Sequence, residues 1–198
     1  MQPLAACRTA ALVLTLAATL ASCDSQSPSG TTSLSVRLKD APGDVQHAFV
    51  TITEVDLVGS GGVQVLTETP VTTDLLTLAA NALTLVQDAE VPSGTYHELR
   101  FKISGVCLAV DDGAGGSTVY ATDGYDSTPC GGQATGTLQA PSYAQSGLKV
   151  QMDGGALVLD VAEKILLVDF DVTQSFGHAA HGWVMHPVIT GGEVGAEQ

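Results

Sequence analysis

From Ser33 the chain alternates: in SLSVRLK, Leu34, Val36 and Leu38 take even positions and Ser35, Arg37 and Lys39 the odd ones. A period of two is the mark of a half-buried strand, because successive side chains point to opposite faces. The strand is expected to end at the turn Asp40-Ala41-Pro42-Gly43-Asp44, whose aspartates can accept backbone amide hydrogens. In FVTITEVDLV the apolar positions move from even (Val50, Ile52) to odd (Val55, Leu57), which predicts a β-bulge between Ile52 and Val55. Gly59-Ser60-Gly61-Gly62 then predicts a hairpin onto Val63 to Leu66.

Residues 75–89, LLTLAANALTLVQDA, suit either a helical turn or strand edges. After the turn Pro92-Ser93-Gly94 comes a long alternating strand, with Leu99, Phe101 and Ile103 on one face and Glu98, Arg100 and Lys102 on the other. Cys107 shares the odd phase of Ile103 and is expected to point toward the core. Residues 111–136 are glycine-rich and carry Asp111, Asp112, Asp123 and Asp126; they read as a long loop or flap with a short hairpin at Ser117 to Ala121. Further strands are predicted at Ala156 to Val161, Ile165 to Val172 and Trp183 to Ile189. Many short strands and little helical pattern predict an all-β fold, a single antiparallel β-sandwich over residues 33–193. That length holds one core, and no long internal repeat is present.

Ahead of this domain the pattern is different. One positive side chain, Arg8, precedes the apolar run Ala10 to Ser22, the layout of an export signal and shorter than the roughly 20 residues of a membrane span. Leu20-Ala21-Ser22-Cys23 resembles the lipobox of bacterial lipoproteins, in which the leader is removed and the cysteine carries acyl chains. The resemblance implies a signal peptide at 1–22, lipidation of Cys23 and a membrane partner through that lipid. It places the domain in the cell envelope, on the extracytoplasmic side of the outer or inner membrane. Asp24 resembles the inner-membrane retention signal of enteric bacteria, a rule that differs among bacterial groups. DSQSPSGTT, residues 24–32, reads as a flexible tether spanning roughly 15 to 18 Å.

Charge narrows the partners. Without residues 1–22 the chain has six Lys and Arg (seven less Arg8) against 21 Asp and Glu, a formal charge of -15. Such a surface repels phosphate backbones, so nucleic acid is not an expected partner. With Cys7 in the leader and Cys23 lipidated, Cys107 and Cys130 remain to pair as a disulfide in an oxidising compartment.

Candidate chemistry is sparse. Asp169 and Asp171 share one strand face, and His178, His181 and His186 follow closely, so these five side chains are the candidates for a zinc-like site. Asp40 and Asp44, and the four flap aspartates, offer hard oxygen for calcium, but their spacing matches no calcium-binding hand, and turn capping is the better account of them. No motif of nucleophilic catalysis is found. Tyr120, Tyr125, Tyr143 and Trp183 are the aromatic candidates for a sugar-binding face; Trp183 alternates with Met185 and is expected in the core, while Tyr120 and Tyr125 lie in the flap.

SLSVRLKDAPGDVQHAFVTITEVDL, VTTDLLTLAANALTLVQDAEVPSGTYHELRFKI, ILLVDFDVTQSF and MHPVI follow one another in an order that resembles a bacterial lipoprotein domain, the domain-of-unknown-function 4382 family. The resemblance implies an envelope or secreted protein with a prealbumin-like or carbohydrate-binding-like sandwich, and it brings no established activity to carry over. The long acidic segment between Cys107 and Cys130 departs from the family's pattern. The expectation is a lipid-anchored, non-catalytic sandwich that binds an extracytoplasmic glycan or protein and needs no cofactor. The alternatives are a metal-dependent hydrolase built on Asp169, Asp171 and the histidines, and a structural component of envelope assembly.

Overall fold

The computed structural model describes residues 30–41, 45–141, 143–180 and 182–194, with the side chains of 40 and 41 left aside. The expected signal peptide at 1–22, Cys23, the expected tether up to residue 29, Asp44 and His181 lie outside the described residues, as does the side chain of Asp40. In chain order the strands are β1 (Thr31–Ala41), β2 (Val45–Gly59), β3 (Gly62–Thr67), β4 (Val71–Asp74), β5 (Leu83–Pro92), β6 (Gly94–Asp111) and β7 (Ser117–Ala121). They continue with β8 (Gly136–Gln139), β9 (Leu148–Met152), β10 (Leu157–Leu159), β11 (Glu163–Asp171), β12 (Phe176–Ala179), β13 (Gly182–Met185) and β14 (Val188–Val194).

The fold is all-β and sandwich-like. One half orders its strands β5-β1-β11-β14-β9, and β9 turns the corner by pairing with β6 of the other half, where β2, β3 and β4 follow. Leu34, Val36, Leu38, Leu166, Val168 and Phe170 from the first half meet Val50, Ile52, Leu57, Leu99 and Phe101 from the second in one core. Burying a side chain of this size contributes roughly 1.5 to 3 kcal/mol, so the even positions of β1 commit that strand to one orientation.

The sheet is mixed: β1 runs parallel to β11, β9 to β14, and β8 to both β7 and β13. Alternation gives a strand's buried face but not its neighbour's direction, and the parallel pairs join segments far apart in sequence. The bulge expected after Ile52 is present: β2 pairs Ile52 with Ile103 and then Glu54 with Lys102, leaving Thr53 extra. Gly62, at φ 102°, takes the left-handed turn position of the β2–β3 hairpin.

Residues 75–89 satisfy both readings in succession. Asp74 caps a 3-10 turn, Leu75–Ala79, by accepting from the Leu76 amide, and β5 begins at Leu83. The strand expected over Trp183 to Ile189 is divided into β13 and β14. Pro187 has no amide hydrogen to give, and the pairing of β13 with β12 closes on the His186 amide, which donates to the Ser175 carbonyl at 2.7 Å. No described helix is long and apolar enough to cross a membrane.

Candidate functional site

The two ends of the sandwich differ. At one end the Ser93 amide donates to the Gly30 carbonyl at 2.7 Å, and Thr31 pairs with Pro92, so the chain enters beside the Pro92-Ser93-Gly94 turn. From there β6 runs antiparallel to β2, with Tyr96 opposite Gly59 and Val110 opposite Val45, roughly 45 Å of strand at about 3.3 Å per residue. The 111–136 segment begins at the far end.

That segment is tied down. Ser104 is a second extra residue, this time in β6, since Ile103 faces Ile52 and Gly105 faces Thr51. The bulge reverses the phase: Ile103, Val106 and Leu108 enter the main core, while Cys107 and Ala109 face outward. Cys107 is therefore fully buried but not in the main core where the alternation placed it. It sits in a second cluster with Ala109, Val119, Ala121 and Cys130, flanked by Phe49 and Tyr125. Cys107 and Cys130 form the expected disulfide, with Cα atoms 6.2 Å apart.

The flap aspartates serve their own turns. Asp112 accepts from the amides of Ala114 at 2.8 Å and Gly116 at 2.9 Å, and Asp126 from the Thr128 amide and hydroxyl at 3.0 and 2.6 Å. For Asp112 the two amides, and for Asp126 first the Thr128 hydroxyl and then its amide, hold the carboxyl below its ordinary range. Asp111 accepts from the Gly113 amide. Ser117 to Ala121 is strand β7, hairpinned onto β6, and β8 continues the sheet to β13 and β12. The segment is thus a flap of tight turns with the expected short strand at Ser117 to Ala121, and β8 carries the sheet on from its end.

The aromatic rings are engaged within the fold. The Tyr125 ring lies over Gly105, where an added Cβ would come within 2.1 Å of it, and its hydroxyl bonds Thr51 Oγ1 at 2.9 Å. The Tyr120 ring covers Gly136 in the same way and faces Trp183 at 6.1 Å. Trp183 is in the core, with His178 4.2 Å away, and Tyr143 is half-buried. None stands out as an open platform for a sugar.

Beside the flap, two shallow clefts of about 230 and 360 Å³ share Thr122, Asp123 and Ala140. Their surfaces include Ser104, Gly105 and Tyr143 at the β6 bulge and Thr137 and Gln139 on β8. Hydroxyls, one exposed carboxylate and a ring edge can recognise a polar partner surface.

The metal candidates are not gathered. Asp169 is paired with Lys39 Nζ at 2.6 Å, and Asp171 caps the 172–175 turn by accepting from the Gln174 amide at 3.0 Å. His178 stacks toward Trp183, and both His178 and His186 are exposed. Among the described residues no group of three His, Cys, Asp or Glu could hold a metal ion. The zinc-like arrangement is thereby corrected: the carboxylates are committed to a lysine and to a turn.

Two polar groupings escaped the sequence reading. His47 Nδ1 meets Asp74 Oδ2 at 2.6 Å, with Asp74 also accepting from the Ala48 amide at 3.0 Å. On the outer face of β2 and β6, Lys102 Nζ contacts Glu54 at 2.6 Å and Asp56 at 3.7 Å, and Asp56 is buried with Oδ1 unpartnered. Burial first, then the Glu54 carboxyl, raises the Asp56 pKa, while the Lys102 ammonium lowers that of Glu54. The charges were visible in TEVD, but the bulge after Ile52 is what turns Asp56 to the outer face, opposite Arg100.

A family described as "Domain of unknown function (DUF4382)" matches residues 31–187, and the chain belongs to that family. No curated protein and no solved structure matches it significantly.

Proposed function

We propose that this member of the family is a lipid-anchored protein of the bacterial cell envelope, whose sandwich binds an extracytoplasmic partner without catalysing a reaction. The observation that carries the reading is the opposition of the two ends of β6. The chain enters beside Ser93, seven residues after Cys23, while the disulfide-tied flap begins at the far end of β6 and folds back so that its clefts lie against Ile103 to Val106, roughly 30 Å of strand from Gly94. A lipid on Cys23 would hold the first end against the bilayer and present the second outward.

The surface at the entry end fits that orientation. Among the described residues the exposed large hydrophobics are Val63, Val65, Val158, Val161, Val188 and Val194. The first four lie toward the Gly30 end: Val63 pairs with Val58, Val158 with Thr95, and the Val161 carbonyl accepts from Thr32. Because the aromatic rings are packed on glycines and in the core, a protein partner is favoured over a glycan. A fixed protein neighbour would also fit the structural role in envelope assembly.

Two measurements test this. Cys23→Ala is expected to abolish palmitate labelling and release the protein from the membrane fraction; label retained at the amino terminus defeats the anchor. A photo-crosslinking side chain at position 123 in native membranes is expected to capture a discrete protein, and one at position 90, on β5, is not. Equal capture from both positions, or none, removes the flap end as the binding surface.

A further inference from the structure

We infer that the outer face of the β1–β11–β14 half holds a site for a small organic carboxylate with an apolar body, its carboxylate seated on Arg37. Among the described residues Lys39, Arg100, Lys102, Lys149 and Lys164 each have a carboxylate within 4.0 Å. Arg37 has none, in a chain of formal charge -14. An unpaired guanidinium on so acidic a protein is the place where an anion is locally welcome.

Much of what surrounds Arg37 is apolar, with Lys39 and Asn81 as the groove's polar side chains. On β1 it lies in register with Leu167 of β11, and Ile165 is opposite both Ser35 and Val194. Arg37, Ile165, Leu167 and Val194, together with Leu78 to Ala82 at the end of the 3-10 turn and just beyond it, line a groove of about 280 Å³. The groove's other cation, Lys39, is already paired with Asp169. A ligand of one charge and an apolar remainder therefore matches it: the guanidinium fork takes a carboxylate through two hydrogen bonds, and the rest covers Ile165, Leu167 and Val194.

Size and field restrict the ligand further. At about 30 Å³ per water-sized unit, a groove of 280 Å³ accepts roughly nine non-hydrogen atoms. The overall negative field repels anions at a distance, so affinity depends on contact with Arg37 and on apolar burial together. A sugar finds no aromatic ring among the residues that line the groove. The site lies on the half of the sandwich away from the flap clefts and does not depend on the lipid anchor.

The test uses the full mature chain with Cys23→Ala, so that no acyl chain competes, and calorimetric titration with octanoate, octanol and octylammonium. Octanoate is expected to bind with one equivalent and about tenfold or more tighter than octanol, as a charge-assisted pair requires. Octylammonium is expected not to bind. Arg37→Gln should lose that advantage of the carboxylate while keeping the octanol affinity, and Leu167→Ser should weaken both probes. Arg37 is exposed, so Arg37→Gln is expected to fold, which its unchanged melting confirms. Octanoate binding no tighter than octanol, unchanged affinity in Arg37→Gln, or no saturable octanoate binding at all overturns the assignment.

Discussion

Ile103 and Cys107 lie on the same strand and point to opposite faces of the sheet, Ile103 into the main core and Cys107 into a smaller cluster on the outer side. Ser104, the extra residue between them, has no counterpart on β2. The disulfide to Cys130 therefore fastens the flap onto the outer surface and leaves the main core to the aliphatic side chains. A β-bulge is what allows one strand to serve two apolar clusters.

Removing that bond should loosen the flap before the sandwich. With 23 residues of sequence separation, Cys107→Ser with Cys130→Ser is expected to lose about 3 kcal/mol by chain entropy. Hydrogen exchange should show amides of 117–130 opening at low free energy while those of β1 and β11 keep the global limit. Equal loss of protection in both regions would show the flap and core to be one cooperative unit.

Gly105 and Gly136 are spaces filled by tyrosine rings. An added Cβ would approach the Tyr125 ring to 2.1 Å at position 105 and the Tyr120 ring to 2.4 Å at position 136. Gly105→Ala is expected to expel Tyr125 and break its bond to Thr51, at a cost of about 2 kcal/mol, the scale of an overpacked site. At Gly61 nothing lies within 4 Å, so Gly61→Ala should leave denaturant unfolding unchanged. A Gly105→Ala protein as stable as Gly61→Ala would mean that Tyr125 moves aside without loss.

Much of this was legible in the sequence: alternation marked the buried face of β1, the bulge after Ile52 and the faces of β6 from Glu98 to Ile103, a glycine run marked the turn at Gly62, and the cysteine count left the pair. The alternating patterns are local ones that burial enforces. What stayed hidden depends on distant partners. The bulge at Ser104 leaves no mark in a run, GVCLAV, that is apolar on both phases because both faces are covered. The strand β8 has four residues and pairs only in parallel, with β7 and β13, so no hairpin signal announces it. Asp169 and Asp171 do share a face, but Lys39 comes to Asp169 only through the parallel pairing of β1 with β11. The groove at Arg37 depends on the same pairing.

Asp74 holds three groups at once, the His47 ring and the amides of Ala48 and Leu76, and is itself buried. Asp74→Ala leaves those amides without acceptors and removes the cap of the 3-10 turn, so a loss of about 2 kcal/mol is expected. His47→Ala should cost much less, since that side chain is 54% exposed and the two amides remain satisfied. Denaturation midpoints of the two variants decide the matter, and equal losses would show that the imidazole contact, not the amide bonds, fixes the turn.

The Glu54–Asp56–Lys102 group makes a pH prediction whose sign follows from which carboxyl keeps a proton. Burial, and then the neighbouring Glu54, raise the folded-state pKa of Asp56, so the folded protein binds that proton more tightly than the unfolded chain. The stability this contributes is full below the unfolded value, near pH 4, and is lost as pH rises through the folded value. Glu54 acts oppositely: Lys102 lowers its pKa, and its contribution, present above the ordinary glutamate range, disappears as pH falls through the lowered value. Asp56→Asn removes the first effect and keeps the lysine pairing of Glu54. Unfolding free energies of the wild type and of Asp56→Asn, measured from about pH 4 to pH 7, should therefore diverge in favour of the variant as pH rises. A difference that stays flat across that range would show that Asp56 is ionised in the folded state throughout, with Lys102 offsetting its burial.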